Sequence, residues 1–556
     1  MGLRLIPRTQ SAHDAPLLIH RLLDTPLRQS PDQTIHYRDE RTFTYKQLYE
    51  RICRLAGALS KLGIGQGDTV AVMDWDSNRY LEAFFAVPML GAVLHTINVR
   101  LSPEQMLYTI NHAKDDVILV NADFLPLLDG FKDRMPSVKR VVLMRDAAHG
   151  DAMPETALEL AGEYEALLDE APAEHHFELF DENAMATVFY TTGTTGDPKG
   201  VYFSHRQLVL HTLGTLTALT AFRCQTNIDS GAVYMPITPM FHVHAWGFPY
   251  AMTLLGAKQI YPGRYEPAML LRLLSEHDVT LSHCVPTILH MLVSSEAVKS
   301  VDLSRWAVII GGSALPQGLC RAALELGINV YTGYGMSETC PVLTLANLKP
   351  NLLDLPLAEQ VQWRCRTGLA VPLVQLELHD ANGARQPHDG KSAGEVVVRT
   401  PWLTQGYLDD SERSEQLWRG GWLHTGDVAT IDAEGYLQIT DRIKDVIKTG
   451  GEWVSSLELE NVLSKHEAVS EVAVVGVADE RWGERPVAVV VPRIDLSGPV
   501  SEADLKALFA PLVEDGTLSS YAVPDRVLFR DQLPKTSVGK IDKKVLRQDV
   551  AQALAD

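Results

Sequence analysis

Ala186-Thr-Val-Phe-Tyr-Thr-Thr-Gly-Thr-Thr-Gly-Asp-Pro-Lys-Gly200 begins as a short apolar, β-branched and aromatic run and ends in glycines and small hydroxyl residues. The first five residues read as a buried strand. A strand that empties into such a segment lets backbone N–H groups approach an anion, with hydroxyls as further donors and Lys199 as a cation. The expected ligand is a polyphosphate, although the same residues also suit a plain surface turn. A Walker loop is excluded, because the order is Lys199-Gly200 and no Ser or Thr follows the lysine. Gly63-Ile64-Gly65-Gln66-Gly67 has the wrong final spacing for a dinucleotide fingerprint. Beyond Gly200, Val201-Tyr202-Phe203 reads as a second strand, and Ser204-His205-Arg206-Gln207 as a capping box that opens a helix. The turn thus joins two strands, unlike either common nucleotide loop.

Working outward, 556 residues exceed one comfortable core, so at least two domains are expected. A hydrophobic share of 46% and a charged share of 22% are those of an ordinary globular protein. The net charge of -20 argues against nucleic acid or an anionic membrane as partner. Six scattered cysteines without a Cys-x-x-Cys pair suggest reduced thiols. No apolar run reaches the roughly 18 residues of a spanning helix, and the N-terminus lacks a signal pattern. The expectation is a soluble cytoplasmic enzyme without membrane insertion.

Strand-like runs alternate with helical ones over most of the chain, which favours layered α/β sheets. Thr69 to Met73, Val117 to Val120, Val141 to Met144 and Ala307 to Ile310 read as strands, and Asp39 to Leu62 and Glu266 to His277 as amphipathic helices. From Gly394 the texture changes to short antiparallel strands: Gly394 to Arg399, Val428 to Asp432 and Tyr436 to Thr440. A smaller α+β unit follows, with helices Ser456 to His466 and Glu502 to Leu512 around strands Val472 to Val477 and Pro486 to Val491. The boundary is expected between 441 and 442, giving domains 1–441 and 442–556.

Tyr190 to Gly200 resembles the phosphate-loop signature of the adenylate-forming superfamily: acyl-CoA synthetases, adenylation domains of nonribosomal peptide synthetases, and firefly-type luciferases. Four further signatures of that family follow in its order: Tyr334-Gly-Met-Ser-Glu-Thr339, Thr425-Gly-Asp427, Asp441-Arg-Ile-Lys-Asp445 and Pro534-Lys-Thr-Ser-Val-Gly-Lys540. The resemblance implies a large N-terminal domain of two α/β subdomains plus a small antiparallel β-barrel, and a smaller mobile α+β C-terminal domain. It implies ATP, Mg2+ and coenzyme A, and two steps. A carboxylate attacks the α-phosphate and expels diphosphate; the CoA thiol then attacks the acyl-adenylate. Such chemistry needs positioning, cations and oriented N–H groups rather than a protein nucleophile.

Carried over residue by residue, Thr191, Thr192, Gly193, Thr194, Thr195, Gly196 and Lys199 hold the polyphosphate, and Glu338 with Thr191 holds magnesium. Tyr334 offers a flat face to the adenine, Gly311, Gly312, Ser313 and Ala314 make the other wall, and Gly333, Gly335, Met336 and Ser337 complete the cofactor-binding set. Asp427 accepts from the ribose hydroxyls, Arg442 reaches ribose or phosphate, and Lys540 is a mobile catalytic cation. The acyl pocket draws on His242, Val243, Trp246, Gly247, Gly311 and Met336. His242 and His244, in an apolar run without neighbouring carboxylates, read as pocket lining rather than a metal pair. Rotation about Lys444 brings Lys448, Gly450, Gly451, Glu452 and Trp453 to the site to flank the pantetheine arm, although the family often has Gly where Asp441 stands.

The segment Lys448 to Trp453, with Ser455-Ser456 after it, resembles bacterial medium-chain and methylmercaptopropionate CoA ligases. The leading expectation is an AMP-forming acid:CoA ligase acting on a medium- or short-chain fatty acid or 3-methylmercaptopropionate. Alternatives are a stand-alone enzyme loading an amino or aryl acid onto a carrier protein, a luciferase-like monooxygenase, and a non-catalytic nucleotide binder. A homodimer is compatible with the resemblance.

Overall fold

The computed structural model describes residues 3–150, 152–191, 197–380, 382–449, 452–479, 481–493, 500–515, 518–535 and 541–555, with backbone alone at 452, 453 and 555. Two large sheets dominate. The first runs in the order Leu160–Glu163, Arg140–Met144, Val117–Asn121, Thr69–Met73, Val93–Thr96, Met185–Thr191, Lys199–Ser204. All its pairs are parallel except the last, an antiparallel hairpin that pairs Tyr190 with Gly200 and Thr191 with Lys199. The glycine-rich turn therefore does join two strands. Ser204 caps the helix His205–Thr220 in a reciprocal box with Gln207, the arrangement expected of that tetrapeptide.

The second sheet has nine strands, ordered Leu369–Ala370, Val342–Leu345, Asn329–Gly335, Ala307–Ile310, Leu281–Cys284, Val233–Tyr234, Lys258–Tyr261, Thr34–Tyr37, Arg41–Thr44. The six from Asn329–Gly335 to Thr34–Tyr37 are parallel. Strands such as Ala307–Ile310 and Val117–Asn121 are buried along their whole length, as parallel strands covered on both faces must be. One continuous apolar core joins the two sheets through the helices Tyr45–Lys61, Asn78–Met89 and Phe248–Leu255.

An antiparallel sheet of Gln375–His379, Gly394–Arg399, Leu423–Ile431 and Leu437–Arg442 comes next; it forms a path of four strands, where the resemblance implies a small barrel. The C-terminal lobe carries Ile447–Thr449, Glu452–Val454, Val469–Asp479, Gly483–Pro492 and Arg526–Phe529 over its own two apolar clusters.

Two elements differ from the sequence expectation. The stretch from Asp39 is not helical throughout: Arg41–Thr44 pairs with Thr34–Tyr37, and the helix begins at Tyr45 behind a Thr44–Gln47 capping box. The β-branched and aromatic Thr42-Phe43-Thr44 favours the strand, and Thr44 then ends it by capping. The segment from Glu502 breaks into Glu502–Ala507 and Ala510–Glu514, with Pro511 in the first turn of the second helix. Proline lacks an N–H and has a preset φ, so it suits a new first turn and disrupts a continuing one.

Candidate functional site

The site lies where the phosphate-loop hairpin, the carboxyl ends of the nine-stranded sheet and the four-stranded sheet converge. In open α/β sheets, ligands sit at the carboxyl ends of strands. Thr191 ends its strand directly opposite Lys199. The Lys199 ammonium lies 4.5 Å from the centre of the Tyr407 ring, and no carboxylate pairs with it among the described residues. Tyr407 in turn donates its hydroxyl to Glu338 Oε1 at 2.7 Å. Backbone ties hold this arrangement: Val201 bridges Tyr407, Leu408 N–H donates to Gly200 C=O, and Thr404 N–H donates to Glu338 C=O. Loop base, cation, phenol and buried carboxylate thus form one connected line. Tyr407 is a functional candidate that the sequence reading missed; its only local signal is a Gly406-Tyr407 turn, which gains meaning once the fold brings it to Glu338.

Glu338 follows the strand Asn329–Gly335 through a short 3-10 turn and is buried. Close packing fixes that strand end: a Cβ at Gly335 would fall 1.8 Å from Pro341 O, so no other residue fits without moving backbone. A buried carboxylate and the Thr191 hydroxyl are hard oxygen donors, the chemistry that suits Mg2+.

A second constellation lies beside the first. Tyr334 donates its hydroxyl to Asp427 Oδ2 at 2.7 Å, and Arg442 donates from Nε to Asp427 Oδ1 at 3.1 Å. Asp427 is not ahead of its strand, as expected, but inside Leu423–Ile431, paired with Arg442 across the sheet. Burial, with Asp427 adding to it, pushes the Tyr334 phenol far up, while Asp427 holds Arg442 firmly charged. Each Asp427 oxygen receives a donor from the protein, so a ribose would exchange with these partners. Gly333, Met336 and Ser337 flank Tyr334 along the same strand and turn, and Gly312, Ser313 and Ala314 are exposed just past the strand Ala307–Ile310.

A pocket opens beside this line, with a cavity of about 40 Å³ lined by Arg100, Ile237, Thr238, Pro239, His242, Trp246, Tyr265, Val285, Thr287, Ile288 and Gly312. Trp246 is the fourth of five consecutive residues at positive φ, Val243 to Gly247, with φ of 49°, 54°, 48°, 59° and 74°. Each non-glycine residue there costs on the order of 1–2 kcal/mol, and strain of that kind persists only where packing over-determines it. The packing is visible. The Trp246 and His283 ring centres are 5.0 Å apart, and a Cβ at Gly311 would approach Trp246 Cη2 to 2.9 Å.

His242 and Trp246 are on the pocket wall, whereas Val243 and Gly247 are not. Val243 turns into the main core, and Gly247 packs on the His211 ring. His244 leaves the pocket as well: it is fully buried, its Nε2 lies 2.7 Å from Thr187 Oγ1, and burial lowers it to about 3. No three potential metal-ligating side chains cluster among the described residues. Arg100 and Tyr265 also escaped the sequence reading.

At the lobe junction, Asp441 Oδ2 accepts from Ser456 N–H at 2.6 Å, and Lys543 bonds both Glu460 and Ser456. Arg547 pairs with Asp445 at 3.0 Å. Lys444 sits in the turn between strands Leu437–Arg442 and Ile447–Thr449, and burial lowers its pKa with Arg442 adding to the shift. Lys448 is opposite Trp453 in register. Thr192, Gly193, Thr194, Thr195, Gly196, Gly450, Gly451 and Lys540 lie outside the described residues, as do the side chains of Glu452 and Trp453. Lys535 and Ile541 bridge each other, and Lys535 faces His290 on the helix Pro286–Val293, whose first residues lie at the pocket.

Comparison with known proteins shows the family to which the chain is similar. Residues 23–408 match the family described as AMP-binding enzyme, and residues 458–540 match the AMP-binding enzyme C-terminal domain. The chain is 41% identical over 521 residues to a long-chain-fatty-acid–CoA ligase of Thermus thermophilus, covering 92% of this chain and 91% of that one. It is 37% identical over 546 residues to a 3-methylmercaptopropionyl-CoA ligase of Ruegeria lacuscaerulensis, covering 97% and 98%. A medium-chain-fatty-acid–CoA ligase of Ectopseudomonas oleovorans is 35% identical over 515 residues, covering 92% and 91%. Among solved structures, an anthranilate CoA ligase with anthranoyl-AMP superposes with a TM-score of 0.84 at 24% identity, covering 98% of this chain and 99% of that one, a likeness of fold.

Proposed function

The chain belongs to the AMP-binding enzyme family and is an ATP-dependent acid:CoA ligase that forms AMP; we propose that its acid is a short- or medium-chain fatty acid or 3-methylmercaptopropionate. The observation that carries the substrate reading is the pocket. Its cavity of about 40 Å³ has room for a few waters, and the Trp246 ring closes against Gly311. Ile237, Val285 and Ile288 give it apolar walls suited to a short alkyl chain.

The residues divide the work as follows. The carboxylate oxygen of the acid attacks the α-phosphorus of ATP, and diphosphate leaves. Lys199 and the hairpin backbone balance the charge of the β- and γ-phosphates, while Lys540 supplies a cation at the α-phosphate. Glu338, aimed by Tyr407, and Thr191 would hold Mg2+, which when bound neutralises phosphate charge and orients the diphosphate leaving group. Asp427, Tyr334 and Arg442 seat the ribose, with the Tyr334 ring against adenine. In the second step the CoA sulfur attacks the acyl carbonyl and AMP leaves with the bonding electrons. For that step the C-terminal lobe turns about Lys444, bringing Lys448 to Trp453 to the pantetheine; lid motions let one site serve successive steps. The reading places the enzyme in the cytoplasm, and the described residues contain no helix long and apolar enough to cross a membrane.

The test is a panel of linear, branched, thioether and aromatic acids from C3 to C16, with ATP, magnesium and CoA, analysed by mass spectrometry. Acyl-CoA and AMP in equal amounts, with the highest kcat/KM at C8 or shorter or on the thioether acid, supports the proposal. A maximum at C14 to C16 overturns the substrate reading, and an adenylate that ignores CoA points to carrier loading instead.

A further inference from the structure

We propose that Asp76 is a positioning residue for the acid, one carboxylate that clamps two walls of the acyl pocket together and thereby couples acid recognition to pH. The proposal rests on the ligase reading and adds to it a determinant of how the acid is received.

Asp76 follows the strand Thr69–Met73 and is 4% exposed. Its Oδ1 accepts from Met240 N–H at 2.8 Å, and its Oδ2 accepts from the Tyr265 hydroxyl. Its own carbonyl accepts from Gly263 N–H at 2.8 Å. Met240 sits between Pro239 and His242, both on the pocket wall, and Tyr265 is on the wall itself. The two donors come from loops that follow different strands, Val233–Tyr234 and Lys258–Tyr261. A single buried carboxylate therefore sets the spacing between the His242 loop and the Tyr265 wall.

The groups facing Asp76 are Tyr265, Arg100, Asp74, Tyr80, Tyr234 and Tyr261. Asp74 opposes its ionisation but is itself clamped by Arg79 at 3.0 Å. Arg100, from the loop beyond Val93–Thr96, favours ionisation from the pocket side. Burial outweighs these partners and raises Asp76 to about 7. The ionised carboxylate accepts both donors, as seen. Once protonated it carries an O–H that must itself donate, so one clamp weakens and the charge that draws Arg100 disappears. The wall is tight above neutral pH and loose below it.

The assay is acid-dependent ATP–pyrophosphate exchange from pH 6 to 9, with hexanoate and 3-methylmercaptopropionate, on the full-length wild type, D76N and Y265F. Titration of ATP and magnesium cancels in the wild-type to variant ratio. The ratio of kcat/KM for the acid, wild type over D76N, is expected to rise about tenfold as pH passes 7, the worth of one hydrogen bond to a charged group, while KM for ATP stays within about twofold. Y265F removes a donor that stabilises the ionised form, so its inflection moves to higher pH; it carries the test if D76N does not fold. A flat ratio, a matching change in KM for ATP, or an unmoved inflection in Y265F overturns the inference while leaving the ligase intact. Wild type without exchange for any acid overturns the ligase reading, and this inference with it.

Discussion

Replacing Tyr407 by Phe removes one hydroxyl from the centre of the proposed site and leaves the ring under Lys199 in place. That hydroxyl donates to Glu338 Oε1 at 2.7 Å, and both side chains are buried. A hydrogen bond to a charged group is worth about 1.5–3 kcal/mol. If Glu338 must be oriented to hold magnesium in the transition state, that energy appears in kcat as a loss of about 10- to 150-fold. Removing a hydrogen-bond partner of a metal-ligating side chain costs a similar amount, about 10–100-fold. The apparent affinity for magnesium falls with it, whereas KM for the acid, whose pocket is lined by neither Tyr407 nor Glu338, changes by no more than about twofold. The assay is ATP–pyrophosphate exchange at saturating acid across a magnesium titration, with Y407F beside wild type. An unchanged magnesium dependence and a kcat within about twofold would show that Glu338 needs no help from Tyr407.

Lys540→Ala should slow adenylate formation by about 10²–10³, the usual cost of one preorganised electrostatic donor; single-turnover measurement of acyl-AMP checks it, and an unaltered rate contradicts it. Lys444→Pro restricts φ at the lobe junction, so acyl-AMP formation should persist while thioester formation falls, and equal losses in both half-reactions would refute the hinge. Trp246→Ala opens the pocket toward Gly311 and should shift preference to longer acids, by no more than about 1–3 kcal/mol per methylene; an unchanged chain-length profile would show that Trp246 does not limit it. His205, His211, His244 and His283 are buried and lowered to about 3, against about 6.5 in the unfolded chain. The unfolded state therefore binds more protons between those values, and stability is fully present above about pH 6.5 and lost progressively below it. The melting temperature should fall steeply from pH 6.5 to 4.5, less so in H283Q, and a flat profile would show that these rings are not buried neutral.

Much of the fold was legible because the signals are local. Met185–Thr191 and Lys199–Ser204 flank turn residues, and Ser204 carries its own cap three residues from Gln207. What escaped the sequence depends on distant partners. Arg41–Thr44 becomes a strand because Thr34–Tyr37 is there to pair with it. Val243 to Gly247 is an apolar aromatic run in sequence, yet it folds as a left-handed turn that packing imposes against local preference. His244 looks like a twin of His242 by spacing, and the turn sends it to Thr187 rather than the pocket. Tyr407, Arg100 and Tyr265 carry no motif; only tertiary contact brings them to Glu338, Asp76 and the cavity.

The most direct test of the account follows oxygen from the acid. With both carboxylate oxygens labelled as ¹⁸O, attack on the α-phosphorus followed by thiol displacement leaves one labelled oxygen in AMP and one in the thioester. AMP should carry a single ¹⁸O for each acyl-CoA formed. Label in diphosphate or inorganic phosphate, or unlabelled AMP, would contradict it.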